Sequence, residues 1–402
     1  MWTVFSFESH PVDYRDPWAV PLGSRLQDFF REKVKVAYYY PKPDSSTFRY
    51  RCFNMSRAIN RYLLGMGASW FCSKDGDYYL DWVAREASVV VVCRSMYDSK
   101  VAWFIQQCHR WGTTVLFDCD DYVFDPGAVP DVVEALNQTV LEDRDAMWTN
   151  WYGWTGRYRA TLDLCDGLIV TNEYLAARAA ETTDTPIYVL PNFMGDEQVE
   201  YSVSLVQAKR ETGYRNDNRF DIGYFSGSPS HDRDFGLAAE ALRDILQTRP
   251  QTRLRVVGHL EVDNTCLAGL MDRVEVIPFV NYMELQRLIA QTEVNIAPLQ
   301  DNRFTNCKSE LKYFDAGIVE VPTIASSTFT MGQAITDGVN GMICPDGDWF
   351  EAMARLVDGY ETVGRPMAAN AYEQCLATYT AEAVAPRIRA QMNAAAPSAV
   401  SD

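Results

Sequence analysis

Twelve short runs rich in β-branched and aromatic residues, spaced by segments of helical period, restrict what this chain can become. The first six are VKVAYYY (34–40), ASWFC (68–72), ASVVVVCRS (87–95), TTVLFDCD (113–120), DGLIVTN (166–172) and TPIYVLPN (185–192). The second six are FDIGYFSG (220–227), TRLRVVG (252–258), VEVIPF (274–279), VNIAPL (294–299), PTIASS (322–327) and GMICP (341–345). Continuous rather than alternating apolar character belongs to strands buried on both faces, and strand–helix alternation makes parallel sheets covered by helices. Between the runs, Val101, Phe104, Ile105 and Cys108 recur at i, i+3, i+4 and i+7. Ala238, Ala241, Leu242 and Ile245 make a similar stripe, as do Trp349, Met353, Leu356 and Val357. The two series are separated by a polar, strand-free stretch near 193–218, and 402 residues suit two domains. The expected class is α/β, two doubly wound domains facing across a cleft, with ligands at the carboxyl ends of the strands. The expected boundaries are an extension over 1–33, a first domain over 34–200, a linker over 201–218, a second domain over 219–365, and C-terminal helices with a frayed tail over 366–402.

The chain carries 54 acidic against 37 basic residues, a formal charge of −17. Such a surface repels nucleic acid and anionic lipid, which argues against both as partners. It does not exclude a small anion held by a few local cations. The ten cysteines are scattered with no C-x-x-C pair, which favours reduced thiols over a disulfide framework or a zinc site. The N-terminal residues lack a basic segment followed by an apolar one, and no window is apolar enough to span a bilayer. The expectation is a cytoplasmic protein without direct membrane insertion.

Four segments carry residues suited to chemistry. In NRFTNCKSELKYFDAGIVEVP, a helix beginning near Lys308 puts Lys308, Lys312 and Asp315 on one face and Leu311, Phe314 and Ile318 on another. Two ammonium groups at a helix N-terminus suit a phosphate, with Ser309 beside them; a solvated surface stripe is the alternative. In YFSGSPSHDRDF, Ser226 and Gly227 end a strand and let the backbone approach a ligand, with His231 and Arg233 close to the turn; an ordinary capped βα turn is the alternative. In PDSSTFRYRCFNM, Asp44, Ser45, Ser46 and Thr47 form a loop and cap, with Arg49 and Arg51 in the first turns. In FDCDDYVFD, Asp118-x-Asp120-Asp121 mimics a cation-chelating D-x-D, or offers a carboxylate as general base, with Asp121 preferred, then Asp118, and Asp44 a rival. The aromatic stretch MWTNWYGWTGRY (147–158) repeats at helical spacing and is expected to pack in a core or interdomain seam.

The segment KSELKYFDAGIVEVPTIASSTFTMGQAITDGVNGMICPDGDWFEAMARLV resembles the donor-binding half of GT-B glycosyltransferases of the group 1/family 4 kind, through its acidic residue, its turn at Pro322 and its "dGvnG" turn. KVAYYYPKPDSSTFRYRCFNM, VLFDCDDYVFDP and IGYFSGSPSHDRDF are similar to a bacterial subgroup that includes surface-polysaccharide rhamnosyltransferases. The resemblance implies two Rossmann-like domains in a GT-B arrangement. It implies a nucleoside-diphosphate sugar such as dTDP-rhamnose as donor substrate, a glycan acceptor, no cofactor and no metal. It places Ser226, Gly227, His231, Arg233, Lys308, Ser309, Lys312 and Asp315 at the donor, with Arg233 and Lys308 on the two phosphates. The 44–51 loop then meets the donor phosphates or the acceptor, and a partner in a biosynthetic complex is implied. The family's Glu-x7-Glu pair is replaced by Cys307 and Asp315, so the retaining stereochemistry associated with that pair is not carried over. A glycosyltransferase-like binding subunit without activity and a sugar-nucleotide epimerase on the same scaffold are the alternatives.

Overall fold

The computed structural model describes residues 14–136, 144–212, 219–227, 232–260, 266–345 and 347–396. The strands are β1 (Val34–Tyr39), β2 (Met66–Phe71), β3 (Val89–Cys93), β4 (Thr114–Asp118), β5 (Gly167–Val170) and β6 (Ile187–Val189). They are followed by β7 (Phe220–Ser226), β8 (Thr252–Gly258), β9 (Val274–Ile277), β10 (Val294–Ala297), β11 (Thr323–Ser326) and β12 (Met342–Cys344). The first six form one parallel sheet in the order β2-β1-β3-β4-β5-β6. The last six form a second in the order β12-β11-β10-β7-β8-β9, the doubly wound arrangement that reverses beside its first strand. All twelve apolar runs are strands, and β3 and β5 are buried at every residue, as strands covered on both faces must be.

Two differences from the sequence pattern concern how the domains join. Most of the stretch expected as a linker is the Asp196–Glu211 helix, which packs against the Tyr282–Ala290 helix of the second domain. Its polar composition reflects one solvated face. The Ala381–Ala395 helix returns to the first domain, packing on the Met55–Tyr62 helix. The two crossings lie side by side: Met194 and Thr380 form a parallel bridge, and the Met194 amide donates to the Tyr379 carbonyl at 2.8 Å. Trp18, from the expected N-terminal extension, is buried against Phe48 and Phe53 and stacks on Tyr282 of the second domain at 6.4 Å.

The aromatic 147–158 stretch lies on the Arg144–Leu162 helix. Trp151 packs into the first domain, whereas Tyr152 and Trp154 are exposed, so the expected seam holds only part of it.

Between β1 and the Met55–Tyr62 helix the backbone adopts a π-helical turn, Arg49–Asn54. Arg51 in this turn is fully buried and donates in bidentate fashion to Asp118 at the end of β4, at 2.9 and 2.8 Å. It also donates to the Leu190 carbonyl and to Asn192. Removing one member of a buried, hydrogen-bonded charge pair leaves the other unpaired. Arg51→Met is therefore expected to lower the unfolding free energy by about 3–5 kcal/mol, read by denaturant melts.

Candidate active site

The carboxyl ends of the two sheets enclose a cleft of ≈350 Å³, within the range of small-ligand sites. Each wall has a distinct chemistry.

The second domain supplies cations and close backbone. Ser226 and Gly227 end β7, and a Cβ on Gly227 would stand in open space within the cleft. Gly258, at the end of β8, has φ +102°, and a Cβ there would lie 1.9 Å from the Ser226 carbonyl oxygen. No other residue fits this approach. Lys312 and Lys308 both line the cleft. The Lys312 Nζ is buried, has no hydrogen-bond partner among the described residues, and stands 4.8 Å over the Tyr224 ring. Burial is the largest influence on this ammonium, followed by attraction to Asp234 and repulsion from Lys308; its pKa is lowered to about 8. Such a buried cation awaits an anion. In the same cleft, Phe279, Val280, Tyr282, Leu285 and Ile289 make an apolar wall, with His259 stacked on Phe279 at 5.8 Å.

Asp315 also lines the cleft, and burial raises its carboxyl to about 6, with Arg49 and Gln198 offsetting part of the rise. It accepts hydrogen bonds from Gln198 at 2.7 Å and Gln286 at 3.4 Å. Gln198 in turn accepts from Arg49 at 2.9 Å. Arg49 lies between the Tyr50 and Tyr282 rings, 4.1 and 4.4 Å from their centroids. One polar chain therefore runs from the 44–51 loop, through the helix joining the domains, to the donor-side carboxylate. A second runs from Arg51 through Asn192 to Ser309, whose Oγ accepts from Asn192 at 3.0 Å.

The first domain contributes Ser45, Ser46, Asp120 and Asp121. Arg94, just past β3, donates to Asp120 at 2.9 Å and lies 3.1 Å from Asp121. Its φ is +36°, a conformation that costs a non-glycine residue on the order of 1–3 kcal/mol. Asp44 Oδ1 accepts from the Ser46 and Phe48 amides, and its Oδ2 accepts from the Tyr40 hydroxyl. Thr47 donates to Asp120 at 3.0 Å.

Several expectations are corrected by these positions. Asp118 and Arg51 satisfy each other inside the first domain and do not line the cleft; a base or a ligand contact is not open to them. Asp44 caps its own loop. Arg233 does not line the cleft and donates to the Glu134 carbonyl at 2.8 Å, a tie between domains. The helix expected from Lys308 begins at Leu311 and is seven residues long, so Lys308 sits in the preceding turn and no phosphate-binding helix start exists there. Cys307 is buried against the first domain, and its carbonyl accepts from Asn172. His231 lies outside the described residues. The three D-x-D-D carboxylates are engaged by Arg51 and Arg94, and among the described residues no His, Cys, Asp and Glu cluster is arranged to hold a metal ion. Arg94, Gln198 and Tyr282 were not legible as site residues. Only the placement of Arg94 and Tyr282 just past the ends of β3 and β9 hinted at a role.

Residues 220–359 match the family model for glycosyl transferases group 1. Among curated protein sequences none matches the chain. In fold it is similar to Anabaena Alr3699/HepE, solved with UDP (TM-score 0.57, 13% identity, 90% of this chain and 100% of that one). It is also similar to sucrose-phosphate synthase from Thermosynechococcus elongatus (0.57, 15%, 88% and 97%). A third similar structure is WaaG, a glycosyltransferase involved in lipopolysaccharide biosynthesis (0.54, 12%, 89% and 99%). The chain has the GT-B fold, and its second domain carries the group 1 glycosyltransferase signature. No helix among the described residues is long and apolar enough to cross a membrane.

The Asp315 carboxylate makes a test of the site's cost. Its native value of about 6 lies above the ordinary 3.8, so ionisation withdraws stability as pH rises through that interval. Asp315→Asn is expected to match the parent below about pH 4 and to exceed it by about 3 kcal/mol at about pH 7. Thermal denaturation at both pH values reads the difference.

Proposed function

We propose that this protein is a glycosyltransferase that moves a hexosyl group from a nucleoside-diphosphate sugar to a glycan acceptor without a metal ion. The observation that carries the reading is the buried Lys312 ammonium, unpartnered among the described residues, with Lys308 and an apolar wall lining the same cleft. A nucleoside diphosphate offers a match for each part: a flat base for the Phe279 side and a diphosphate for the lysines. Asp315 accepts hydrogen bonds from the donor's hydroxyls, and Gly227 leaves the β7 turn open to it.

The acceptor hydroxyl, on the Asp120–Asp121 side, attacks the anomeric carbon. Its bond forms as the bond from that carbon to the diphosphate oxygen breaks, and the electron pair leaves with the nucleoside diphosphate. The lysines stabilise the charge that develops there, and Asp121 takes the hydroxyl proton. Enclosure between the domains keeps water from taking the acceptor's place. dTDP-rhamnose is the donor suggested by the sequence resemblance, and UDP-glucose is the one captured in HepE. The reading places the protein in cytoplasmic surface-polysaccharide assembly beside other enzymes of that process.

Calorimetry with UDP, dTDP and GDP and their sugars tests the reading. One of them should bind, and Lys312→Met should weaken it by about a hundredfold while raising, not lowering, the melting temperature of the empty protein. Absence of binding by all would favour an inactive subunit, and turnover of the sugar without an acceptor would favour an epimerase.

The lysine also predicts a pH dependence. Protonated Lys312 is the binding form and its pKa is about 8, so affinity should hold below that value. It should then fall toward tenfold per unit from about pH 8 to about pH 9. Lys312→Arg should flatten the profile.

A further inference from the structure

Arg94 stands behind the cleft rather than in it. Asp120 and Asp121 line the cavity and Arg94 does not, yet its Nη1 reaches Asp120 Oδ1 at 2.9 Å and Asp121 Oδ2 at 3.1 Å. Thr47 completes the set, accepting from the same nitrogen at 3.3 Å and donating to Asp120 Oδ2 at 3.0 Å. Two neighbouring carboxylates repel each other, and a single guanidinium nitrogen between them fixes their separation and direction.

The backbone indicates that this placement is built. Only two described non-glycine residues have positive φ, Arg94 and Glu320. Glu320 follows the end of a helix, where the next amide, from Val321, bonds back to the Ala316 carbonyl, so its conformation has a local cause. Arg94 follows a strand, and its amide donates to the Asp118 carbonyl at 2.7 Å. The left-handed turn throws its side chain across the end of β4, onto the two carboxylates.

We propose that Arg94 is a positioning residue that presents Asp120 and Asp121 as a paired hydroxyl-binding edge, selecting an uncharged sugar with neighbouring free hydroxyls as the acceptor. The proposal rests on the glycosyl-transfer reading above. Ionised carboxylates only accept hydrogen bonds, so the matching ligand is a donor of two. The trio of one cation and two anions keeps a net negative charge, whereas the opposite wall carries Lys308 and Lys312. An anionic diphosphate and a neutral polyol are thereby sorted to opposite sides. Tyr158 from the Arg144–Leu162 helix and the Cys119 thiol, beside Arg94, are both pushed up by burial and stay neutral, as are Tyr40 and Cys307, and the buried Arg51–Asp118 pair behind Asp120 cancels its own charge.

The test uses methyl α-rhamnopyranoside and methyl α-glucopyranoside as neutral probes and glucuronate as the anionic control. Binding to the full chain with UDP present is read by saturation-transfer NMR, and UDP affinity is measured separately by calorimetry. The expected result is binding of at least one neutral glycoside and exclusion of glucuronate. Arg94→Gln should lose about tenfold in glycoside affinity at unchanged UDP affinity, with partial recovery in Arg94→Lys. Asp121→Asn, which leaves the Arg94–Asp120 contact in place, should show the same selective loss should Arg94→Gln fail to fold. Glucuronate binding as tight as the glycosides, or glycoside affinity indifferent to both variants, overturns the proposal. A wild-type protein that binds neither UDP nor any other nucleotide overturns the glycosyl-transfer reading first.

Discussion

The buried pair between Arg51 and Asp118 fixes what the cleft can present. It ties the π-helical turn after β1 to the end of β4, two segments 67 residues apart, inside the first domain. With Arg51 turned inward to the sheet, Arg49 two residues earlier points the other way, toward the second domain. The same guanidinium holds Asn192, which reaches Ser309 across the cleft. Asp118 in turn anchors the strand end from which Asp120 and Asp121 extend. A buried ion pair is weak evidence for stability by itself. Its value here is geometric, since both polar chains between the domains start within this one turn.

The cleft also holds groups in states they would not choose in water. Lys312 is a buried ammonium without a partner among the described residues, and Asp315 is a carboxylate raised toward neutrality by burial. Their tension is relieved by a ligand rather than by the protein. Such unpaired groups withdraw stability from the empty fold and return it on binding, the usual relation between a functional site and the scaffold that carries it. The same logic explains why the net charge of −17 sits comfortably with an anionic ligand: the surface is acidic, and the cations that matter are inside.

Much of the fold was legible because its information is local. Continuous apolar runs located all twelve strands, and helical stripes several of the helices between them, though the Asp196–Glu211 helix read as a linker. The site was legible by segment rather than by residue. Lys308, Lys312, Asp315, Ser226, Gly227 and Asp121 do meet at one cleft, since strand ends converge there in any doubly wound sheet. Asp118 was misjudged because its partner is remote in sequence, and a carboxylate at a strand end looks the same whether it faces ligand or core. Arg233 reads as a phosphate ligand until the neighbouring domain offers it the Glu134 carbonyl. The helix start at Lys308 failed because Asn302 caps a separate short turn, Arg303–Asn306, which uses up the chain before Leu311. Arg94 carries only the hint of standing just past the end of β3, because nothing in an arginine announces a positive φ.

The side-by-side crossings at Met194 and Thr380 give the molecule an unusual mechanical character. Trp18 and Met392, near opposite ends of the described chain, share one apolar cluster on the first domain. The donor-side domain is thus threaded in and out through adjacent points, like a cassette inserted into a host. Movement about those points has to slide Tyr282 against the Trp18 ring that it stacks on. The cassette between those points is the natural unit to exchange with another member of this architecture.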